Sequence, residues 1–133
     1  MEDRLILETT FLIDLERELI KGSAGPAQEF LQKNPSAKLC TTFTVAGEIA
    51  AGASLEERQV WESFLSPFHV FGWVPEVSWQ YGRVYSYLSA NGLLIGSNDL
   101  WIAATAVANR VPLVTRNDRH FSRVPDLTVL AYA

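Results

Sequence analysis

Short apolar runs recur along this chain, each followed by a longer stretch in which apolar positions fall three or four residues apart. Leu5-Ile6-Leu7 is the first run, too short for a helix, and predicts a buried strand over 4–8. Behind it Phe11, Leu12, Leu15 and Leu19 keep helical spacing, so Thr9 or Thr10 is expected to cap a helix reaching about residue 20. The segment "KGSAGP" (21–26) reads as a turn, Pro26 opens a second helix to about Gln32, and "KNPSAK" closes it. "LCTTF" (39–43) predicts the second strand, with a helix over 44–51 that Gly52 ends.

The same alternation continues to the end. Ser54 and Glu57 match a capping box and predict an amphipathic helix over 54–66. "FHVFGWV" (68–74) predicts the third strand, and Pro75 with Glu76 a long helix to about Asn91, stopped by Gly92. Ser97 or Asn98 caps an alanine-rich helix with Asp99 in its first turn. "VPLVT" (111–115) and "LTVLAY" (127–132) supply two more strands. Strands alternating with helices imply a mainly parallel sheet covered on both faces. The expected fold class is α/β: a three-layer α/β/α sandwich with a central five-stranded sheet, in one domain spanning 1–133.

Composition narrows the picture. Apolar residues at 48% exclude disorder as the main state, and no run approaches the length of a membrane span. The N-terminus lacks the pattern of a signal peptide, and the single Cys40 permits neither an internal disulfide nor a zinc site, so a reducing cytoplasm is expected. A net charge of −4 argues against binding nucleic acid through bulk positive charge, although Arg116, Arg119 and Arg123 can still meet phosphates locally.

Four acids occupy one kind of position, just after a strand or in the first turn of a helix: Glu8, Glu48, Asp99 and Asp118. In an open parallel sheet those positions converge on the carboxyl edge, where ligands bind. Carboxylates gathered there repel one another unless a cation lies between them, and an oxygen-rich site suits Mg²⁺ or Mn²⁺. The chemistry that follows is metal-assisted phosphodiester hydrolysis. Each acid also has a plain alternative, least comfortable for Glu8, which as a surface acid would directly follow the apolar strand. Asp99 is well placed beside a helix dipole, Glu48 reads equally as a surface acid, and Asp118 in "TRNDRH" as a turn residue. GxSxG, P-loop, GxGxxG and HExxH motifs are absent, and nothing near His120 marks a nucleophile for a Ser/His/Asp triad. The tryptophans read as core or subunit contacts rather than as a base-stacking platform.

Three blocks in order, "LILETTFLIDLERE", "TTFTVAGEIAAG" and "LIGSNDLWIAATAVANRVPLVTRNDRHFSRVPDLTV", resemble the PIN-domain nucleases, most closely the VapC-type toxins of toxin–antitoxin pairs. The resemblance implies a Mg²⁺- or Mn²⁺-dependent endoribonuclease, cutting exposed single-stranded or loop RNA. Glu8, Glu48 and Asp99 would be the metal ligands, Asn117, Thr10 and Thr115 would support them, and Asp118 would join or replace Asn117. Arg116 and Arg119 would engage the RNA backbone. It further implies a homodimer and a cognate antitoxin protein. One slot departs from the family pattern, which has aspartate where this chain has Glu8. A PIN-like module that binds RNA or protein with weak catalysis is the alternative reading.

Overall fold

Every strand of the central sheet runs in the same direction. The computed structural model describes residues 3–133 and orders the strands β3-β2-β1-β4-β5, with each neighbouring pair parallel. β1 (Arg4–Leu7) lies in the middle, and Leu5, Ile6 and Leu7 are buried, as a strand covered on both faces requires. From β1 the chain passes through α1 (Thr9–Lys21) and α2 (Pro26–Lys33) to β2 (Lys38–Thr42), then through α3 (Phe43–Ala50) and α4 (Arg58–Leu65) to β3 (His69–Phe71). It next crosses to the other side of β1. α5 (Pro75–Ala90) and α6 (Ser97–Asn109) lead to β4 (Leu113–Thr115), and α7 (Asp118–Phe121) to β5 (Val129–Ala131). The strand order therefore reverses between β1 and β4, and the crevice at their carboxyl ends is the switch point where open α/β sheets hold ligands.

The core is built on that middle pair. Leu113 and Val114 of β4 and Phe11 of α1 are fully buried, as are Ile102 and Ala103 of α6. Phe11 meets Tyr132 edge-on at 4.7 Å, which draws the C-terminal segment onto α1. Gly22 ends α1 at φ 71°, a left-handed conformation glycine adopts freely, and its N–H closes on Glu18 O at 3.0 Å. Glu18 itself is buried and accepts from the N–H groups of Gly25, Ala27 and Gln28 at 2.9, 2.9 and 3.0 Å. It caps α2 from the neighbouring helix.

Several boundaries differ from the pattern-based expectation, each for a local reason. The helix expected over 54–66 begins only at Arg58, after a 3-10 turn over Ala53–Leu55. The Ser54 hydroxyl donates to Glu16 at 2.7 Å instead of capping, so the capping box does not form. Thr42, the last residue of β2, accepts from Val45 N–H at 3.1 Å, which starts α3 at Phe43. Gly96, not Ser97 or Asn98, is the cap of α6, and Glu8, not Thr9 or Thr10, is the cap of α1. The third strand stops at Phe71, where pairing with β2 ends at Thr42, and Trp73 and Val74 beyond it face solvent, 57% and 48% exposed. The turn around Asp118 closes into α7.

Candidate active site

Glu8 ends the middle strand and opens α1, so one residue belongs to both elements that shape the crevice. Its carboxylate accepts from Thr10 N–H at 3.2 Å, capping its own helix. Two hydroxyls also donate to it, Thr10 at 2.8 Å and Thr115, the last residue of β4, at 2.5 Å. The two strands on either side of the switch point are thus joined through one carboxylate. Glu8 is 4% exposed. Burial pushes its carboxyl above the ordinary glutamate range, the bonds from Thr115 and Thr10 pull it back, and the charge of Asp99 pushes it up again.

The remaining residues fall around this centre. Thr10 Oγ1 accepts from Arg116 N–H at 3.1 Å and Thr115 Oγ1 from Asn117 N–H at 2.9 Å, so the β4–α7 turn is pinned to α1. Glu48, on α3, accepts from the Thr9 hydroxyl at 2.7 Å and from the Asn98 amide at 3.5 Å. Asp99, in the first turn of α6, holds His120 Nε2 at 2.9 Å. Asp118 is half-buried at the start of α7, and Asn117, Arg116 and Arg119 are exposed beside it. No hydrogen bond links Asp118 or Arg119 to Glu8, Glu48 or Asp99. The Arg116 guanidinium lies 3.0 Å from Asp14, whose other partner is the Tyr132 hydroxyl at 2.6 Å. Burial and that bond to Asp14 push the Tyr132 hydroxyl up, which keeps it a donor.

Four contributors carried no signal in the pattern: Thr9 on Glu48, Asn98 on Glu48, His120 on Asp99, and the Asp14–Tyr132 pair behind Arg116. The nearest hint was the polar turn holding His120, five residues after the acid-supporting Thr115 in a segment already singled out.

As a metal site the cluster is open rather than preassembled. Among the described residues no group of three or more His, Cys, Asp or Glu side chains stands close enough to hold an ion by itself. Mg²⁺ asks for less, since one or two carboxylates with waters and substrate phosphates suffice. A carboxylate offers about four acceptor positions, and three of those on Glu8 are taken, while the hydrogen bonds at Asp99 engage Oδ2 and leave Oδ1. Glu8 and Asp99 repel one another with hard oxygen donors to spare, which fits a hard divalent cation bound through two carboxylates.

The sequence profile of the PIN domain matches residues 5–127. The chain belongs to the PIN-domain family. A Ribonuclease VapC of Rickettsia bellii is 31% identical over 131 residues, covering 95% of this chain and 94% of the relative. Ribonuclease VapC1 of Methanocaldococcus jannaschii is 26% identical over 133 residues, covering 98% and 88%. Among solved structures, VapBC2 of Rickettsia felis bound to a promoter DNA fragment superposes with a TM-score of 0.79 at 24% identity, over 98% of this chain and 99% of that one. VapBC-1 of nontypeable Haemophilus influenzae gives 0.78 at 25% identity, over 97% and 98%. The PIN-like fold expected from the residues is the one observed, its sheet wholly parallel. Among the described residues no helix is long and apolar enough to cross a membrane.

Proposed function

We propose that this chain is a Mg²⁺- or Mn²⁺-dependent endoribonuclease that hydrolyses RNA phosphodiester bonds, and the toxin of a type II toxin–antitoxin pair. The observation that carries the reading is Glu8, a carboxylate buried at the switch point of a parallel sheet with a second acid, Asp99, acting on it. A buried, hydroxyl-ringed acid is poorly explained as helix capping alone, because Ser or Thr would cap without that desolvation. Relatives named Ribonuclease VapC, and VapBC complexes of the same fold, support the substrate and the partner.

Glu8 and Asp99 would hold the ion, with Glu48, Asn117 and Asp118 as further oxygen donors. When bound, the cation supplies a Lewis acid that makes water more acidic and offsets charge developing on the phosphate. The chain's own groups do the positioning. Thr10 and Thr115 fix the Glu8 carboxylate from two elements, and His120 engages one oxygen of Asp99 and leaves the other without a side-chain partner among the described residues. Arg116, steadied by Asp14, and the exposed Arg119 would contact RNA phosphates. A groove of about 210 Å³ beside Glu48, lined by Leu12, Ile13, Ile49 and Leu55 together with the charged Glu16 and Arg17, would seat a segment of the antitoxin. A homodimer acting in the cytoplasm completes the proposal.

The weakly catalytic binding module is the second reading, and Glu8 favours it, since the family pattern has aspartate there. Comparing RNA cleavage by wild type and Glu8→Asp separates the two. Comparable cleavage supports the enzyme, whereas activity only in the variant supports the binding module.

A further inference from the structure

An open groove of about 630 Å³ runs along α3 and α6 directly beside the acidic edge. Phe43 and Trp101 wall it, their rings 6.4 Å apart and tilted by 59°. Glu48 and Asn98 line it too, and the bond between them makes its inner end the flank of the acid cluster. Groove and cluster are continuous.

Two features of this groove leave it open to a ligand. Gly47 lies in the interior of α3, where glycine is unfavourable, yet a Cβ there would meet nothing within 4 Å. No close contact demands a glycine, and its effect is to leave the helix face bare along the groove. Trp101 is half-buried, and its indole N–H has no acceptor among the described residues, whereas Trp61 and Trp73 donate to Ala46 O and Ser78. No buried side-chain nitrogen or oxygen among the described residues lacks a partner, so this N–H is open to solvent and to a ligand in the groove. Tyr81 packs on the Trp101 ring at 4.2 Å and a 30° tilt, so the ring is braced by its own fold.

Charge decides what such a groove accepts. Its charged lining residue is the acid Glu48, which repels phosphate, while the arginines stand on the other side of the cluster, after β4. Aromatic walls with no cation favour a flat, neutral group. We propose that this groove is a nucleobase subsite, holding one unpaired RNA base next to the scissile phosphate against Trp101 and Phe43. The position of the phosphate rests on the ribonuclease reading; the binding of a base does not. Stacking tolerates any base, so the subsite selects for single-stranded RNA more than for sequence.

The test measures dissociation constants in EDTA, where cleavage is suppressed, for a fluorescein-labelled single-stranded RNA hexamer and for the same ribose–phosphate chain without bases. Wild type should bind the intact hexamer at least roughly fivefold more tightly, the smallest effect expected of one lost base–aromatic stack. Trp101→Leu and the groove-filling Gly47→Leu should remove that difference, and Trp79→Leu, an exposed tryptophan on α5, should retain it. Equal binding of the two hexamers by wild type overturns the proposal without any variant having to fold. So does base discrimination that survives in both groove variants, absence of hexamer binding, or a change confined to self-association in sedimentation. Cleavage with Mg²⁺ is scored separately. Base discrimination without cleavage keeps the subsite and rejects the ribonuclease; cleavage without discrimination does the reverse.

Discussion

Replacing Thr115 by valine removes one hydroxyl and little volume, and it tests whether the buried carboxylate is organised from both sides of the switch point. Thr115 is fully buried and donates to Glu8 at 2.5 Å. A hydrogen bond to a charged group is worth about 1.5–3 kcal/mol. An unfolding entropy of about 2.1 cal/mol/K per residue over 133 residues gives roughly 0.28 kcal/mol/K, so the loss corresponds to a Tm lower by about 5–11 °C. The effect should depend on pH with a definite sign. The Thr115 bond lowers the Glu8 pKa, so it stabilises the ionised form and its contribution is present above that pKa and lost as pH falls through it. Thermal melts of wild type, Thr115→Val and Thr115→Ser in EDTA between pH 4 and pH 8 make the measurement. The valine variant should fall furthest below wild type at the alkaline end, with serine close to wild type throughout. A deficit that does not change with pH, or one shared by serine, would show that Thr115 matters through packing and refute the reasoning.

Other outcomes follow from the same contacts. The folded-state pKa of Glu8 lies above its unfolded value, so its contribution to stability is full below the unfolded pKa and declines as pH rises through the folded one. Glu8→Gln should therefore be inactive in RNA cleavage yet melt at or above wild type at pH 8; a clearly lower melt there would contradict it. At Glu18 burial pushes the pKa up but the backbone N–H groups of Gln28, Ala27 and Gly25 outweigh it, so its stability is present above the unfolded pKa and lost on acidification. Glu18→Ala should cost about 2–4 kcal/mol at neutral pH in denaturant titrations, and less at pH 3, with activity per folded molecule unchanged. Tyr132→Phe, by loosening Asp14 under Arg116, should raise KM for RNA severalfold with little change in kcat, and Arg116→Ala more so. A drop in kcat alone would place Arg116 elsewhere in the reaction.

Much of the scaffold could be read from local pattern, because a strand buried on both faces must be an apolar run and its following helix must carry a spaced apolar stripe. Leu5-Ile6-Leu7 and the alanine-rich helix behind Asp99 are both of that kind. Glu8 and Asp118 stand where a strand hands over to a helix, as the pattern implies, whereas Glu48 lies towards the end of α3 and Asp99 opens a helix that follows another helix. The partners of these acids were not legible. Thr9 reaches Glu48 across 39 residues and Tyr132 reaches Asp14 across 118, and residue type alone does not say which distant group a hydroxyl will meet. The capping box at Ser54 failed the same way, because Glu16 competes for the hydroxyl from another helix. The apolar pattern overextends the third strand because Trp73 and Val74, exposed in the fold, look like core residues in a sequence. Glu8, expected as an acid at the end of the first strand, is also the cap of α1 and the tie between β1 and β4.

The most direct test of the account is cleavage of single-stranded RNA by wild type and Asp99→Asn, each with Mg²⁺ and with EDTA. The account predicts cleavage by wild type in Mg²⁺ alone, with the variant at least about a hundredfold slower, in line with the loss of one charge-stabilising group. Equal cleavage in all four conditions would contradict it.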